Sequence, residues 1–336
     1  MKFGYVPLSE AVGAISAHAV RAGEVVLRKG SRVTPEIAER LRGAGVAGLV
    51  AARLDADDVH EDEAAAALAA KLAGLHIRID PPFTGRSNLF AEEAGVLLVE
   101  RERIDGINAV DEAITFATLP EFRAVSPGEM VATVKIIPYA VPRAALDRAL
   151  AAAADPLIRV MPFEKRRIAV VSTVLPGLKP SVIAKTLDVL RERLAPAGAA
   201  VISEERVPHE AEALAAALGR AVATRPDIVI VFGASAISDR RDVIPAAIEA
   251  AGGRIEHLGM PVDPGNLLLL AEIGEARVLG APGCARSPKE NGFDWVLQRL
   301  LAGLKVGRGE LVGMGVGGLL MEIKTRPQPR AEPPKA

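Results

Sequence analysis

From Arg167 onward, short apolar runs alternate with longer amphipathic stretches. "RIAVVST", "AAVISEERV", "PDIVIVFGAS", "RIEHLGM" and "ARVLGAPG" have strand length and are rich in β-branched residues. Between them, "KPSVIAKTLDVLRERLAPAG", "HEAEALAAALGRAVA" and "DVIPAAIEAAGG" carry helical spacing, and "GFDWVLQRLLAG" closes the series as a helix. Strands separated by helices of this length predict α/β architecture: a three-layer αβα domain around a mostly parallel sheet. Ligands of such sheets gather at the carboxyl ends of the strands. The informative loops are therefore "STVLPGLKPS", "FGASAISDRRD" and "APGCARSPKENGFD", and "GMPVDPGN" is expected on the same rim.

The first half is less regular and predicts a smaller, mixed α+β region with room for two subdomains. A helix is expected from Pro35, with Thr34 as its N-cap, ending at Gly43 or Gly45 before a strand in "VAGLVAA". In "DADDVHEDEAAAALAAKLAG" the acidic residues precede and open an Ala-rich helix, which reads as a dipole-matched start with a solvated face. "IRIDPPFTGRSNLFAEEAGVLLVERERIDGINAVD" suggests a Pro-Pro break, a Gly-Arg-Ser-Asn turn, a helix, a strand, and a further helix after Asp105. "GEMVATVKIIPYAVP" reads as a strand ended by Pro138, residues 144–154 as a helix, and "DPLIRVMPFEKR" as a linker. The expected domains are the mixed region 1–162, the α/β domain 163–324, and a disordered Pro-rich tail 325–336.

Composition narrows the classes. With 336 residues, more than one core is expected. Aromatics make up 3% and the net charge is −1, so neither stacking platforms nor a polyanion footprint is available, and no nucleic-acid partner is expected. The single cysteine, Cys284, excludes an intrachain disulfide and a thiolate zinc site. No basic start followed by an apolar core opens the chain, and no apolar run reaches the roughly 18 residues that span a bilayer. A cytoplasmic location without a membrane partner is the expectation. His18, His60, His76, His209 and His257 are scattered without metal-ligand spacing. Walker, dinucleotide-binding and nucleophile-elbow motifs are absent.

The loops carry the candidate chemistry. Gly233, Ala234 and Ala236 let a ligand approach the backbone, Ser235 and Ser238 offer hydroxyls, and Arg240 and Arg241 match phosphate oxygens. Asp242 stands at the helix start; the same residues also suit a plain turn with an Asp N-cap and solvated arginines. In "GMPVDPGN", Pro264 and Gly265 stiffen a loop whose Asp263 and Asn266 can bond a polar ring, although Pro-Gly-Asn is also ordinary turn chemistry. Pro282 and Gly283 open a turn that contains Cys284, Arg286, Ser287, Lys289 and Asn291. Cys284 reads as an inert small residue, and Arg286 and Lys289 as the phosphate partners.

Taken in order, "RRIAVVST … PAGAAV … PDIVIVFGASAISDRRDVIPAAIEAAGG … GMPVDPGN … VLGAPG" resembles the molybdopterin-binding domain of molybdenum-cofactor biosynthesis proteins. That domain occurs in molybdopterin adenylyltransferases, molybdotransferases and the gephyrin type. Its signature is a Gly-Gly-Thr/Val-Gly/Ser loop followed by an Asp at a helix start; here Gly233, Ala234, Ser235 and Ala236 stand in the loop and Asp242 follows. Two later Pro-Gly turns of the family match Pro264-Gly265 and Pro282-Gly283. The resemblance covers roughly residues 165–305. "ARLDADDVHEDEAA", "GRSNLFAE" and "MVATVKIIPYAVP" resemble the region ahead of this domain in a bacterial stand-alone or transferase-fused group.

The resemblance implies molybdopterin or the molybdenum cofactor as ligand, held by Thr173, the 233–238 loop, Arg240, Asp242, residues 263–266, Pro282, Gly283, Arg286 and Ser287. It also implies Asp242 as the candidate for a catalytic role, with Mg²⁺ and a nucleotide in enzyme members. The Gly-Asp-Glu found after the first strand in molybdotransferases is replaced by "STVLPGLKPS", which weakens the acidic set that handles nucleotide phosphates. Three functions stay open: a binding protein for cofactor maturation or delivery, an active transferase or molybdate-inserting enzyme, and a scaffold that kept only the fold. Molybdoenzymes or cofactor-biosynthesis proteins are the implied partners, and the resemblance leaves room for a homo-oligomer.

Overall fold

Thr34 accepts the Ile37 amide and Pro35 presets the first turn, which starts helix α1, Pro35–Gly43. Its Ala38 and Leu41 join Val6, Leu27 and Leu49 in a small core. Around that core lie β1 (Lys2–Pro7), β2 (Ile15–Ser16), the hairpin β3 (Val20–Ala22) and β4 (Val25–Leu27), and β5 (Gly48–Arg53). β5 pairs antiparallel with β1 on one side and β2 on the other.

Strand β6 (Asp58–His60) leads into α2, Glu61–Leu72, whose first turn holds Glu61, Asp62 and Glu63 where they complement the helix dipole. This acidic start is only partly solvated, because Glu61 is buried. Ala64, Ala65, Leu68, Ala69 and Leu72 pack into the larger core of the same half. β7 (Ile77–Ile79), β8 (Arg86–Ala91) and β9 (Gly95–Val99) precede α3, Arg101–Asn108. Then come β10 (Ile114–Thr118), β11 (Ala124–Val125), β12 (Met130–Ile136), β13 (Ala140–Pro142), α4 (Arg143–Ala152) and β14 (Ile158–Pro162). They form sheets ordered β10-β12-β8-β7, β11-β9-β14 and β13-β6.

Three expectations are corrected here. Residues 86–91 form a strand, not a turn running into a helix, because Ser87, Leu89 and Ala91 alternate inward while their neighbours do not. α3 begins at Arg101, ahead of Asp105. The supposed linker contains β14, with Leu157, Ile158 and Val160 fully buried in the core.

The chain divides into two units, Met1–Met161 and Pro162–Ala336. The computed structural model describes residues 1–320, so the expected tail at 325–336 lies outside the described residues. No helix among the described residues is long and apolar enough to cross a membrane.

The second unit is α/β: β15 (Arg167–Val174), α5 (Pro180–Leu194), β16 (Ala200–Pro208), α6 (Ala211–Ala223), β17 (Ile228–Phe232), α7 (Val243–Ala250) and β18 (Arg254–Leu258). It continues with β19 (Leu269–Ile273), β20 (Ala276–Ala281), α8 (Gly292–Leu301) and the short α9 (Arg308–Val312). The sheet order is β16-β15-β17-β20-β19-β18. The first four strands run parallel, and β19 is antiparallel to both its neighbours. The sequence reading named no strand over β19; Leu268, Leu269, Leu270 and Ala271 are buried in succession, so no alternation marks its start.

β17 is buried at every position, as a strand covered on both faces requires. One face packs on α6 and α7 through Val229, Val231, Leu214, Leu218, Ile244 and Ile248. Because β18 points the same way as β17, the loops after β15, β17, β18 and β20 share one edge.

Candidate functional site

At the end of β17 the chain turns at Gly233. A Cβ there would stand 2.7 Å from both the Ile244 Cδ1 and the Ser235 carbonyl oxygen, so only glycine fits. The next amide, of Ala234, donates to the Thr173 hydroxyl at 2.8 Å, and the same hydroxyl lies 2.8 Å from Nδ1 of His209. The hydroxyl oxygen has a second lone pair and a proton of its own, so the contact with Nδ1 is satisfied by either tautomer of His209. Thr173 is buried; His209, from the loop after β16, is half-buried. This histidine was set aside in the sequence because the five histidines show no metal-ligand spacing; its partner lies 36 residues away, and no local pattern announces the pair.

Ile237 is buried and anchors the loop, while Ser235, Ala236, Ser238 and Arg240 are exposed. Asp242 is the N-cap of α7: Oδ1 accepts the Val243 amide at 2.8 Å and Oδ2 accepts the Ser238 amide at 3.2 Å. Each carboxylate oxygen keeps a further lone pair, so the brace can still meet a ligand donor. The two arginines differ. Arg241 is paired with Asp239 through its Nε at 2.7 Å, and its hydrogen bonds hold the Asp239 carboxyl below the ordinary carboxylate range. Arg240 has no hydrogen-bond or ion-pair partner among the described residues. Burial, followed by the charges of Arg308 and Arg240, holds His257 below its ordinary value.

After β20, Pro282 leads into a single 3-10 turn, Gly283–Arg286. Arg286 donates to the Gly233 carbonyl and to the Thr186 hydroxyl, each at 2.9 Å, and its guanidinium lies 5.5 Å from the centre of the Phe232 ring. It is thereby fixed beside the loop on β17. No carboxylate pairs with it among the described residues, and burial alone pulls its pKa down. A half-buried cation without a counter-ion is costly unless an anion joins it.

Arg193 of α5, which the sequence reading did not single out, holds this turn in place. It pairs with buried Asp294 and donates to the carbonyls of Ala285 and Ser287. Asn291 and Asp294 form a capping box at the start of α8, and Asn291 also donates to the Lys289 carbonyl at 2.9 Å. The Ser287 hydroxyl accepts the Lys289 amide at 3.3 Å, while Lys289 itself is exposed. Burial pushes the Cys284 thiol up, in keeping with an inert residue.

The 263–266 loop joins the rim through α8. The Pro264 carbonyl accepts the Gly292 amide at 2.8 Å, and Gly265, with φ of +140°, approaches Gly292 so closely that a Cβ would be 2.8 Å from its backbone. Asp263 is tied by backbone hydrogen bonds to Gly318 and Leu320, and Asn266 is exposed. The hydrogen bonds thus link Thr173 with Ala234, Arg286 with Gly233, and Pro264 with the start of α8. Ser235, Ser238 and Arg240 line the open part of the β17 loop. No group of three or more His, Cys, Asp or Glu residues that could hold a metal ion occurs among the described residues.

A family model described as the probable molybdopterin binding domain matches residues 169–302. Among solved structures, CinA from Thermoplasma acidophilum, of unknown function, is 14% identical, with 38% of this chain and 91% of that chain covered at a TM-score of 0.30. The molybdopterin biosynthesis enzyme MoaB from Thermus thermophilus is 18% identical, with 41% and 97% covered at a TM-score of 0.29. NadC from Streptococcus pyogenes is 17% identical, with 57% and 80% covered at a TM-score of 0.16. A search of curated proteins returned no match. The family match thus spans residues 169–302 and with them every loop of this rim.

Proposed function

We propose that the second unit binds molybdopterin, or a precursor or metal-loaded form of it, and serves in maturation or delivery of the cofactor. The observation that carries this reading is Arg286, a half-buried guanidinium fixed at the rim with no carboxylate to neutralise it among the described residues. A terminal phosphate supplies the missing charge. The Ser235 and Ser238 hydroxyls and the backbone amides between them receive that phosphate, with Arg240 as the second cation. Asp242 braces the loop, and Thr173 and His209 set the direction of the Ala234 peptide. The rigid turns at Pro264-Gly265 and Pro282-Gly283 offer backbone groups to the pterin edge, and Asp263, Asn266 and Ser287 add polar side chains.

The residues fit the anionic end of such a ligand: the loop carries no bulk, two hydroxyls are exposed, and two cations lack carboxylate partners. When bound, the ligand supplies the dithiolene that holds molybdenum. The chain's own residues bind and orient it. Anaerobic titration of the full chain with molybdopterin, with and without Mg²⁺ and ATP, tests the proposal. Saturable binding without nucleotide turnover is expected. Turnover would establish an enzyme instead, and unchanged affinity in the Ser235→Ala, Asp242→Ala double variant would remove the loop from the site.

A further inference from the structure

The first unit contains a cavity of about 690 Å³, within the roughly 300–1,000 Å³ of small-molecule sites. Its lining includes the apolar Phe3 and Ile137, 60% and 59% exposed, and half-buried Tyr139. It also includes the charged groups of Lys29, Lys135, Glu61 and the Met1 amino terminus. Glu61 and Lys135 are 3.5 Å apart, and burial pushes the Glu61 carboxyl up despite its cationic neighbour.

The polar part of the lining is held in shape by its own bonds. Lys135 donates to the Thr84 carbonyl at 2.6 Å, and Asp62 accepts the Gly85 amide at 2.6 Å. Thr84 itself has a φ of +50°, a conformation uncommon for a β-branched residue, which these flanking bonds maintain. A structural clamp on this turn accounts for Glu61, Asp62 and Lys135. It does not account for Lys29, which has no hydrogen-bond or ion-pair partner among the described residues, or for the uncovered Phe3 and Ile137. Glu61 pairs with Lys135, and Asp55 and Asp58 hold the Met1 amino group, so among the described residues Lys29 is left as a lining cation without a carboxylate partner.

We propose that this cavity is a second ligand site, distinct from the rim of the other unit, for a small organic anion with a flat or apolar body. The anionic head meets Lys29 and Lys135. The body lies against Phe3, Ile137 and Tyr139.

The test uses calorimetry on the full chain with 1-naphthyl phosphate and, as its uncharged counterpart, 1-naphthol. The parent protein carries Arg286→Met, which weakens phosphate binding at the rim by the roughly 30-fold or more expected of that change. One saturable site for naphthyl phosphate is expected, with naphthol at least tenfold weaker. Lys29→Met should weaken binding at least tenfold, and Ile137→Asp should abolish it. Both side chains are exposed and make no hydrogen bond, so folding, checked by circular dichroism, is retained. The proposal is overturned if the parent shows no saturable binding, or if both variants keep its affinity within twofold.

Discussion

Arg286→Met separates the ligand-binding role of this arginine from its structural one. The change removes two hydrogen bonds of a charged donor, each worth roughly 1.5–3 kcal/mol net. It also removes the several-kcal/mol penalty of holding a half-buried charge without a partner. The two terms oppose each other, so the free protein should change in stability by no more than about 1 kcal/mol. An anion changes the balance. At about 4 Å, with an effective dielectric constant near 20, the guanidinium and a phosphate attract by about 4 kcal/mol, and solvent screening at this half-open site lowers that to about 2–4 kcal/mol. Affinity for a phosphate-bearing ligand should therefore fall roughly 30-fold to 700-fold. Urea unfolding followed by the fluorescence of Trp295, the single tryptophan and part of α8, gives the first quantity. The same titration at increasing ligand concentration gives the second through the ligand-linked gain in stability. A loss of about 3 kcal/mol or more without ligand, together with unchanged affinity, would refute the reasoning and make Arg286 a purely structural residue.

Three further outcomes follow from the same contacts. Arg193→Met leaves Asp294 buried without its partner, so a loss of about 3–5 kcal/mol is expected in urea unfolding, well beyond that of Arg286→Met. Gly265→Ala places a Cβ against the Gly292 backbone at a φ that disfavours any side chain; about 1–3 kcal/mol should be lost, with weaker ligand binding as the 263–266 loop moves off α8. Because His257 is held below its ordinary value of 6.5, the unfolded chain takes up the proton first. Its contribution is therefore complete above pH 6.5 and declines as the pH falls, so denaturation midpoints should show a shallower acid slope in His257→Gln than in the parent.

The second unit was largely legible because its elements obey one period each. β17 reads as a buried strand in isolation, and α5 repeats apolar positions at helical spacing. Failures came where period and burial part company. β19 is buried at successive positions and was not read as a strand, and β14 was hidden by the prolines at its borders. β8 misled because its sequence runs straight into "AEEAG", whose composition favours helix, whereas the pairing of β8 with β12 fixes it as a strand.

The loops that build the rim were legible too, since the carboxyl ends of parallel strands are where such folds place ligands. The bonds between those loops were not. Thr173 and His209, Arg286 and Gly233, and Arg193 and Asp294 are 36, 53 and 101 residues apart, and no local pattern links them. The Asn291 and Asp294 pair has the fixed three-residue spacing of a capping box, yet it was not drawn from the sequence. Nor did the sequence distinguish the two adjacent arginines: only the ion pair to Asp239 shows that Arg241 is neutralised and Arg240 is not.

The most direct test of the account is a crystal structure of the chain grown anaerobically with molybdopterin, read for the position of the terminal phosphate. The account predicts that phosphate within hydrogen-bond distance of the Ser235–Ser238 loop and within about 4 Å of the Arg286 guanidinium. Ligand density elsewhere on the chain, with Arg286 still lacking an anionic partner, would contradict it.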